Sequence, residues 1–98
     1  NDYYVSHVSH DYDEAEIARV NSINKAVNEL RNDNIDAALN SLDKYKDSPD
    51  AWNILGVAYA KKGDMSSAAS YFNRAINNSN SDARHNLDQL QKYIEDNQ

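Results

Sequence analysis

The stretch Trp52-Asn-Ile-Leu-Gly-Val-Ala-Tyr59 decides the fold class. Trp52, Leu55, Gly56 and Tyr59 recur at steps of three, four and seven residues, which places them on one face of an α-helix. Gly56 has no Cβ, so a partner helix can approach closely at that point. The stretch therefore predicts a helix that packs tightly against a neighbouring helix.

The same helical spacing of apolar residues extends over most of the 98-residue chain, which is long enough for one domain. Only two Gly and one Pro interrupt it, and Asn, Asp, Ser and Gly stand where caps are needed. We predict an extended arm or linker over 1–12 and a helical domain over 13–98. The predicted helices cover 13–31, 35–46, 50–62, 65–77 and 82–95.

The chain also matches itself after a shift of 30 residues, which places Ala38 over Ala68 and Leu42 over Phe72. Self-similarity at this period is typical of arrays of helical hairpins. The residues that carry the second unit resemble the tetratricopeptide repeat signature, and they are Trp52, Leu55, Gly56, Tyr59, Ala68, Phe72 and Ala75. The first unit is degenerate, since Lys25 and Glu29 stand where Leu55 and Tyr59 would be expected.

The resemblance implies an all-α, tetratricopeptide-like α-α superhelix, with two antiparallel helical hairpins and a C-terminal capping helix. In such a fold Gly56 would face the small Ala68, and Phe72 would fill the space beside Trp52 and Leu55. The last helix carries one narrow apolar stripe, as a terminal cap of a helical stack does.

The resemblance further implies a concave groove, lined by the first helix of each hairpin, that takes a peptide or another extended segment. Carried over position by position, the candidate groove residues are Ile23, Val27, Leu30, Arg31, Asn53, Val57, Ala60 and Lys61. Most of these are apolar, so a clamp for a terminal carboxylate is disfavoured. We expect a mainly apolar groove with Asn53 and two cations at its edges.

Three occupants fit such a groove: an outside peptide, a second copy of the chain as a homodimer, or residues 1–12. Helical arrays generally need about three repeats for stability, and this chain has two and a cap. We therefore favour the arm or a second copy slightly over an outside peptide. In the arm, Tyr3, Tyr4, Val5 and Val8 supply the apolar side chains that could cover the groove.

The composition argues against several other classes of function. Sixteen acidic and ten basic residues give a net charge of −6, which disfavours nucleic acid and anionic membrane surfaces. The absence of Cys excludes thiolate sites, and no Gly-rich loop or nucleophile motif suggests an enzyme or a cofactor. His7 and His10 are interpreted as surface residues without a metal, and His85 as solvated.

We therefore expect a non-catalytic protein–protein interaction or scaffolding module. The alternative is a structural C-terminal cap or dimerisation unit of a larger repeat or envelope-associated protein, with no peptide ligand of its own. The start at Asn1 rather than Met is consistent with an excised or processed piece. Richness in Asn, Asp, Ser and Tyr is similar to bacterial, Gram-negative envelope repeat segments, and both a cytoplasmic and a periplasmic location stay open.

Overall fold

The computed structural model describes residues 3–9 and 13–97. Five α-helices follow one another, namely α1 (Glu14–Arg31), α2 (Ile35–Leu42), α3 (Trp52–Lys62), α4 (Met65–Asn77) and α5 (Ser81–Asp96). Short 3-10 helices over Asp43–Tyr45 and Pro49–Ala51 flank the connection between α2 and α3. The described residues contain no β-strand, so the predicted all-α class is confirmed.

Three helices end in the same kind of turn. A residue with positive φ follows the helix in each case: Asp33 (φ 59°), Gly63 (φ 93°) and Ser79 (φ 67°). The next backbone N–H then reaches back five residues, as in the bond of 2.9 Å from Asp64 N to Tyr59 O. This pattern satisfies carbonyl groups that the helix end would leave unpaired. The chain reverses after each turn, so α1 packs on α2, and α4 packs on both α3 and α5.

The connection between α2 and α3 differs from the prediction of two long helices over 35–46 and 50–62. The α-helix α2 ends at Leu42, and α3 begins only at Trp52. Ser48 is extended, with φ −90° and ψ 115°, because the ring of the following proline disfavours helical backbone before it. Pro49 then starts a 3-10 turn, where its missing N–H is not needed.

Helix α3 lies at the centre of the molecule and contacts all four other helices. Seven of its eleven residues are buried, and they are Asn53, Ile54, Leu55, Gly56, Val57, Ala58 and Ala60. A helix that is apolar almost all round is one that neighbours cover on several sides. The apolar stripes of the other helices supply the rest of the core, including Ile23, Leu42, Phe72 and Leu90.

The closest approach in the core is between Gly56 of α3 and the ring of Phe72 of α4. A Cβ placed on Gly56 would lie only 2.4 Å from two carbons of that fully buried ring. The aromatic ring, rather than the methyl group of Ala68, therefore fills the space left by the glycine. Trp52 is only half-buried at the surface, and its indole N–H donates to the Lys46 carbonyl at 2.9 Å.

We predict that Gly56→Ala lowers the free energy of unfolding by about 1–3 kcal/mol, because the new methyl group overpacks the core against Phe72. Chemical denaturation measures this change. Gly63→Asn is the control, since nothing lies within 4 Å of its Cβ position and Asn tolerates a positive φ. Equal stability of wild type and Gly56→Ala would contradict the packing described here.

The N-cap of α4 predicts a dependence of stability on pH. Hydrogen bonds from the Ser67 backbone N–H and hydroxyl to the Asp64 carboxylate lower the pKa of Asp64. A lowered pKa in the folded state stabilises the protein above the ordinary carboxyl pKa of about 3.9, and this stabilisation is lost as the pH falls through the lower folded value. Asp64→Ala should therefore lower the melting temperature at neutral pH, with a difference that shrinks in acid.

Asn80→Ala is the matched control for this experiment. Asn80 caps α5 through an amide oxygen that accepts from Ala83 N at 3.2 Å, and an amide does not titrate. Its substitution should lower the melting temperature by an amount that is much less dependent on pH. A loss for Asp64→Ala that stays constant down to strongly acidic pH would contradict the role of the carboxylate.

Candidate functional site

The arm, which we define as residues 3–9, lies as an extended segment across α1, α3 and α5. It has no regular secondary structure, yet side chains of all three helices hydrogen-bond to it. We define the arm site as the residues that hydrogen-bond to the arm, together with His85, which stacks on Tyr4: Asn24, Asn28, Arg31, Asn53, Asp82, His85 and Asn86. The arm site is therefore a surface built from three helices that receives an extended polypeptide.

Two buried asparagines hold the backbone of Tyr4. The Tyr4 N–H donates to Asn86 Oδ1 at 2.6 Å, and Asn86 Nδ2 donates back to the Tyr4 carbonyl at 2.8 Å. Asn53 Nδ2 donates to the same carbonyl at 3.0 Å, and Asn86 Nδ2 also donates to Asn53 Oδ1 at 2.8 Å. The Tyr4 backbone is thus held at both its donor and its acceptor by a connected pair of amides.

The chemistry of the peptide group explains why asparagine serves here. A backbone N–H can only donate and a carbonyl can only accept, so these partners fix which way the Asn86 amide points. Asn86 is completely buried and Asn53 is 3% exposed, so an unsatisfied amide at either position would be costly. The arm backbone supplies partners that the surrounding apolar core cannot.

A second backbone contact lies at the other end of the arm. The Val8 N–H donates to Asn24 Oδ1 at 2.7 Å, and Asn24 Nδ2 donates to the Val8 carbonyl at 3.1 Å. The carboxamide of Asn24 thereby pairs with the arm as a neighbouring strand would in a sheet. Because both contacts use backbone atoms, they hold the direction of the chain without depending on which side chains it carries.

Polar contacts along the edges complete the arm site. Arg31 donates to the Val5 carbonyl at 3.2 Å, and Ser6 Oγ donates to Asp82 Oδ2 at 3.4 Å. His7 Nε2 lies 2.8 Å from Asn28 Oδ1. These groups are largely exposed, so they contribute less than the buried amides.

The side chains of the arm divide into an inner and an outer set. Tyr3, Val5 and Val8 are half-buried and pack against the hydrophobic core, whereas Ser6 and His7 are exposed. The Tyr3 ring lies 6.0 Å from that of Phe72. Burial raises the pKa of the Tyr3 phenol, and the nearby Tyr93 raises it further. The inner set anchors the arm through apolar contact in addition to the backbone hydrogen bonds.

His85 does not lie free in solvent, as the sequence had suggested. Its imidazole is half-buried and stacks on the Tyr4 ring, with centroids 3.6 Å apart and planes 8° from parallel. Tyr4 itself is 51% exposed, so the two stacked rings lie at the edge of the arm site. The interpretation of His85 as solvated is therefore wrong, because the prediction did not place the arm beside α5.

The eight predicted groove residues separate into three groups. Asn53 and Arg31 contact the arm backbone directly. Lys61 instead lies 3.5 Å from Asp33 in the turn after α1. The remaining five are between 0% and 4% exposed and belong to the core, namely Ile23, Val27, Leu30, Val57 and Ala60.

Sequence reasoning missed Asn24, Asn86 and His85 as contacts of the arm. The shift of 30 residues places Ile23, and not Asn24, opposite Asn53. A signal for the asparagines was nevertheless present. Asn is a poor residue for a helix interior, yet Asn53 and Asn86 each stand beside residues that are buried and apolar. A buried amide in an apolar helix implies a polar partner, although it does not say which one.

A separate shallow pocket lies where the start of α1 meets the loop before α3. Arg19 makes ion pairs with Glu16 and Asp50 there, and Asp47 and Asn78 also line it. The hydrogen bonds that Arg19 donates to Asp50 and, to a lesser extent, to Glu16 raise the pKa of Arg19, so the guanidinium keeps its charge. This ion-pair cluster links α1 to the loop, and its cation is already neutralised by two carboxylates.

Within the described ranges, no cluster of three His, Asp or Glu side chains is arranged to bind a metal ion. His10, the second residue of the predicted His7–His10 pair, lies outside those ranges. None of the helices in the described part of the chain combines the length and the apolar character needed to cross a membrane.

Comparisons with protein-family models, curated proteins and solved structures give no match.

We predict that Asn86→Leu and Asn24→Leu release opposite ends of the arm. The first substitution removes the acceptor of the Tyr4 N–H and one of the two donors to the Tyr4 carbonyl, while Asn53 stays as the other donor. The second removes both partners of the Val8 backbone. Amide hydrogen exchange followed by NMR should show faster exchange at Tyr4 for Asn86→Leu and at Val8 for Asn24→Leu. Each lost hydrogen bond contributes about 0.5–1.5 kcal/mol, which corresponds to an increase in exchange of roughly two- to tenfold.

Each variant is the control for the other, because the two contacts lie on different helices. Protection in the centre of α3, at Leu55 for example, should change less than protection in the arm. An unchanged exchange rate at Tyr4 in Asn86→Leu, with the helices intact, would contradict the described contact.

Proposed function

We propose that this chain is a non-catalytic protein-interaction module that holds an extended polypeptide segment on α1, α3 and α5. We further propose that its architecture is tetratricopeptide-like. Two observations support that architecture: the turns at Asp33 and Gly63 are equivalent and lie 30 residues apart, and Gly56 admits a large ring of the partner helix. The proposal concerns binding alone, without a cofactor and without a chemical step.

The observation that carries the proposal is the pairing of asparagine amides with backbone groups of the arm. A surface that pairs with N–H and C=O groups at two points four residues apart selects for extended chain. Most polar groups of a folded chain are already paired, whereas those of an extended peptide are available. The arm site is therefore suited to a flexible segment of a partner protein rather than to a folded surface.

In this structure the occupant is the chain's own arm, and this supports a second candidate function. If the arm never leaves, α1–α5 and the arm together form a closed structural unit, such as a cap or dimerisation element of a larger protein. Asn53 and Asn86 would then serve stability alone. The two functions differ in whether the arm site accepts a segment from another molecule.

A binding experiment on the 98-residue chain separates these functions. Val5→Asp together with Val8→Asp places two carboxylates where the arm is half-buried, and should release it. We call this the open variant. A labelled peptide with the sequence of residues 1–9 should then bind saturably in a fluorescence anisotropy titration. Binding should disappear when Asn86→Leu is added to the open variant.

Lys61→Ala in the open variant is the matched control, because Lys61 pairs with Asp33 and has no described contact with the arm. It should bind the peptide as the open variant does. If the open variant keeps its helical circular dichroism and binds no peptide at millimolar concentration, the interaction function is wrong and the structural unit is supported.

A further inference from the structure

The backbone contacts of the arm site cannot distinguish one extended sequence from another. Every residue except proline presents the same N–H and C=O groups that Tyr4 and Val8 present here. Any selectivity must therefore come from the places where side chains of the occupant enter the protein. The arm identifies these positions, because its own side chains occupy them.

The inward positions of the arm do not follow the alternation of a simple strand. Side chains of a regular extended chain point to opposite sides in turn, so Tyr3 and Val5 on one side would be followed by His7. Instead His7 is exposed beside Asn28, and Val8 is the half-buried residue. The inward spacing is two residues and then three. A generic alternating segment would present the wrong side chain at the last position.

The aromatic positions add a further requirement. Tyr3 enters beside Phe72, and Tyr4 stacks on His85 from the outside. The centroid separation of 6.0 Å between Tyr3 and Phe72 lies in the range in which aromatic pairs stabilise beyond the area that they bury, and the Tyr4 ring covers the His85 imidazole face to face. The chain's net charge of −6 also disfavours an acidic occupant. The favoured occupant is neutral or basic, with rings at its first two positions.

We propose that the arm site recognises extended segments in which an aromatic residue is followed two and five positions later by aliphatic residues, and that the arm is an internal copy of this sequence which the ligand must displace. This inference rests on the proposed interaction function and specifies its ligand. A segment with a second ring next to the first binds more tightly, because that ring stacks on His85. The ligand is thus a flexible, non-acidic stretch of a partner protein.

Displacement of the arm has a measurable consequence for affinity. A ligand that binds only the open form has an apparent dissociation constant equal to the intrinsic constant divided by the open fraction. If the arm is bound nine-tenths of the time or more, wild type binds the same peptide at least about tenfold more weakly than the open variant does. The arm therefore raises the apparent dissociation constant of the partner.

The test uses the 98-residue wild type, the open variant and a panel of labelled peptides. The parent peptide has the sequence of residues 1–9. A second peptide exchanges His7 and Val8, which keeps the composition and changes only the inward spacing. A third replaces Tyr4 with Ser, and a fourth replaces the exposed Ser9 with Ala as the control.

In the open variant the exchanged peptide should bind about tenfold more weakly than the parent, since one buried aliphatic contact is lost. The peptide in which Ser replaces Tyr4 should bind a few-fold more weakly than the parent peptide. His85→Ala in the open variant should remove that difference. The control peptide, in which Ala replaces Ser9, should bind as the parent does. Wild type should bind the parent at least about tenfold more weakly than the open variant.

The possible failures are distinct. Equal affinity of the open variant for the parent and exchanged peptides overturns the proposed pattern but leaves the interaction function standing. Equal affinity of wild type and the open variant for the parent overturns the competition by the arm. Absence of binding to every peptide, with the helices intact, contradicts the proposed function itself.

A second measurement avoids any dependence on the folding of the open variant. In isotopically labelled wild type, a saturating amount of unlabelled parent peptide should speed amide exchange at the chain's own Tyr4 and Val8. The exchanged peptide at the same concentration should have a much smaller effect. If both peptides speed exchange equally, or neither does so, the proposal is wrong.

Discussion

Helix α3 is covered on several sides by the other four helices, and the rest of the structure depends on that burial. Its contact with α4 is close because Gly56 leaves room for the Phe72 ring, which is itself completely buried. About one turn before Gly56, α3 carries Asn53, whose amide is also buried. A buried amide destabilises a protein unless it is hydrogen-bonded, so burial of α3 obliges the fold to provide partners for Asn53.

The partners come from the two ends of the chain. Asn86 of α5 donates to Asn53, and Asn53 donates to the Tyr4 carbonyl. Ordering an extended segment requires about 1–2 kcal/mol for each backbone residue, so the arm stays in place only where its contacts offset that loss. Buried hydrogen bonds at Tyr4, a paired backbone at Val8 and three inward side chains supply this compensation. The arm packs against the core and also supplies hydrogen-bond partners to the amides buried beside it.

The contacts of the arm therefore matter both for the stability of the fold and for the proposed binding. The contacts that would let an outside segment bind are those that the arm satisfies, so the empty site is not a neutral state. Without an occupant, Asn53 and Asn86 would need water or each other. An outside segment of the proposed kind would therefore have to supply the same hydrogen-bond partners that the arm supplies. The polar network also explains why the site accepts a backbone, since neutral amides pair with peptide groups without the desolvation of a charge.

The amino-acid sequence by itself determined the helices of this protein. Apolar spacing, the turn residues Gly63 and Asp64, and the proline at 49 act over a few residues, so helix α4 spans the residues that its pattern indicates. Asn53 and Arg31 were also predicted as candidate groove residues, and the arm was predicted as one possible occupant of that groove. The helices could be predicted because hydrogen bonds and side-chain periods within a helix link residues three to five positions apart, whereas the candidate contacts came from the resemblance to a repeat family.

Only the tertiary structure decided what the asparagines and His85 contact. Tyr4 and Asn86 are 82 positions apart in the chain, and no local pattern links them. The shift that aligns the two hairpins placed Ile23 opposite Asn53, although Asn24 is the residue that binds the arm. Which residues of α1, α3 and α5 meet the arm depends on how the helices are rotated against one another. That rotation results from packing around Gly56 and Phe72, which involves the whole core at once.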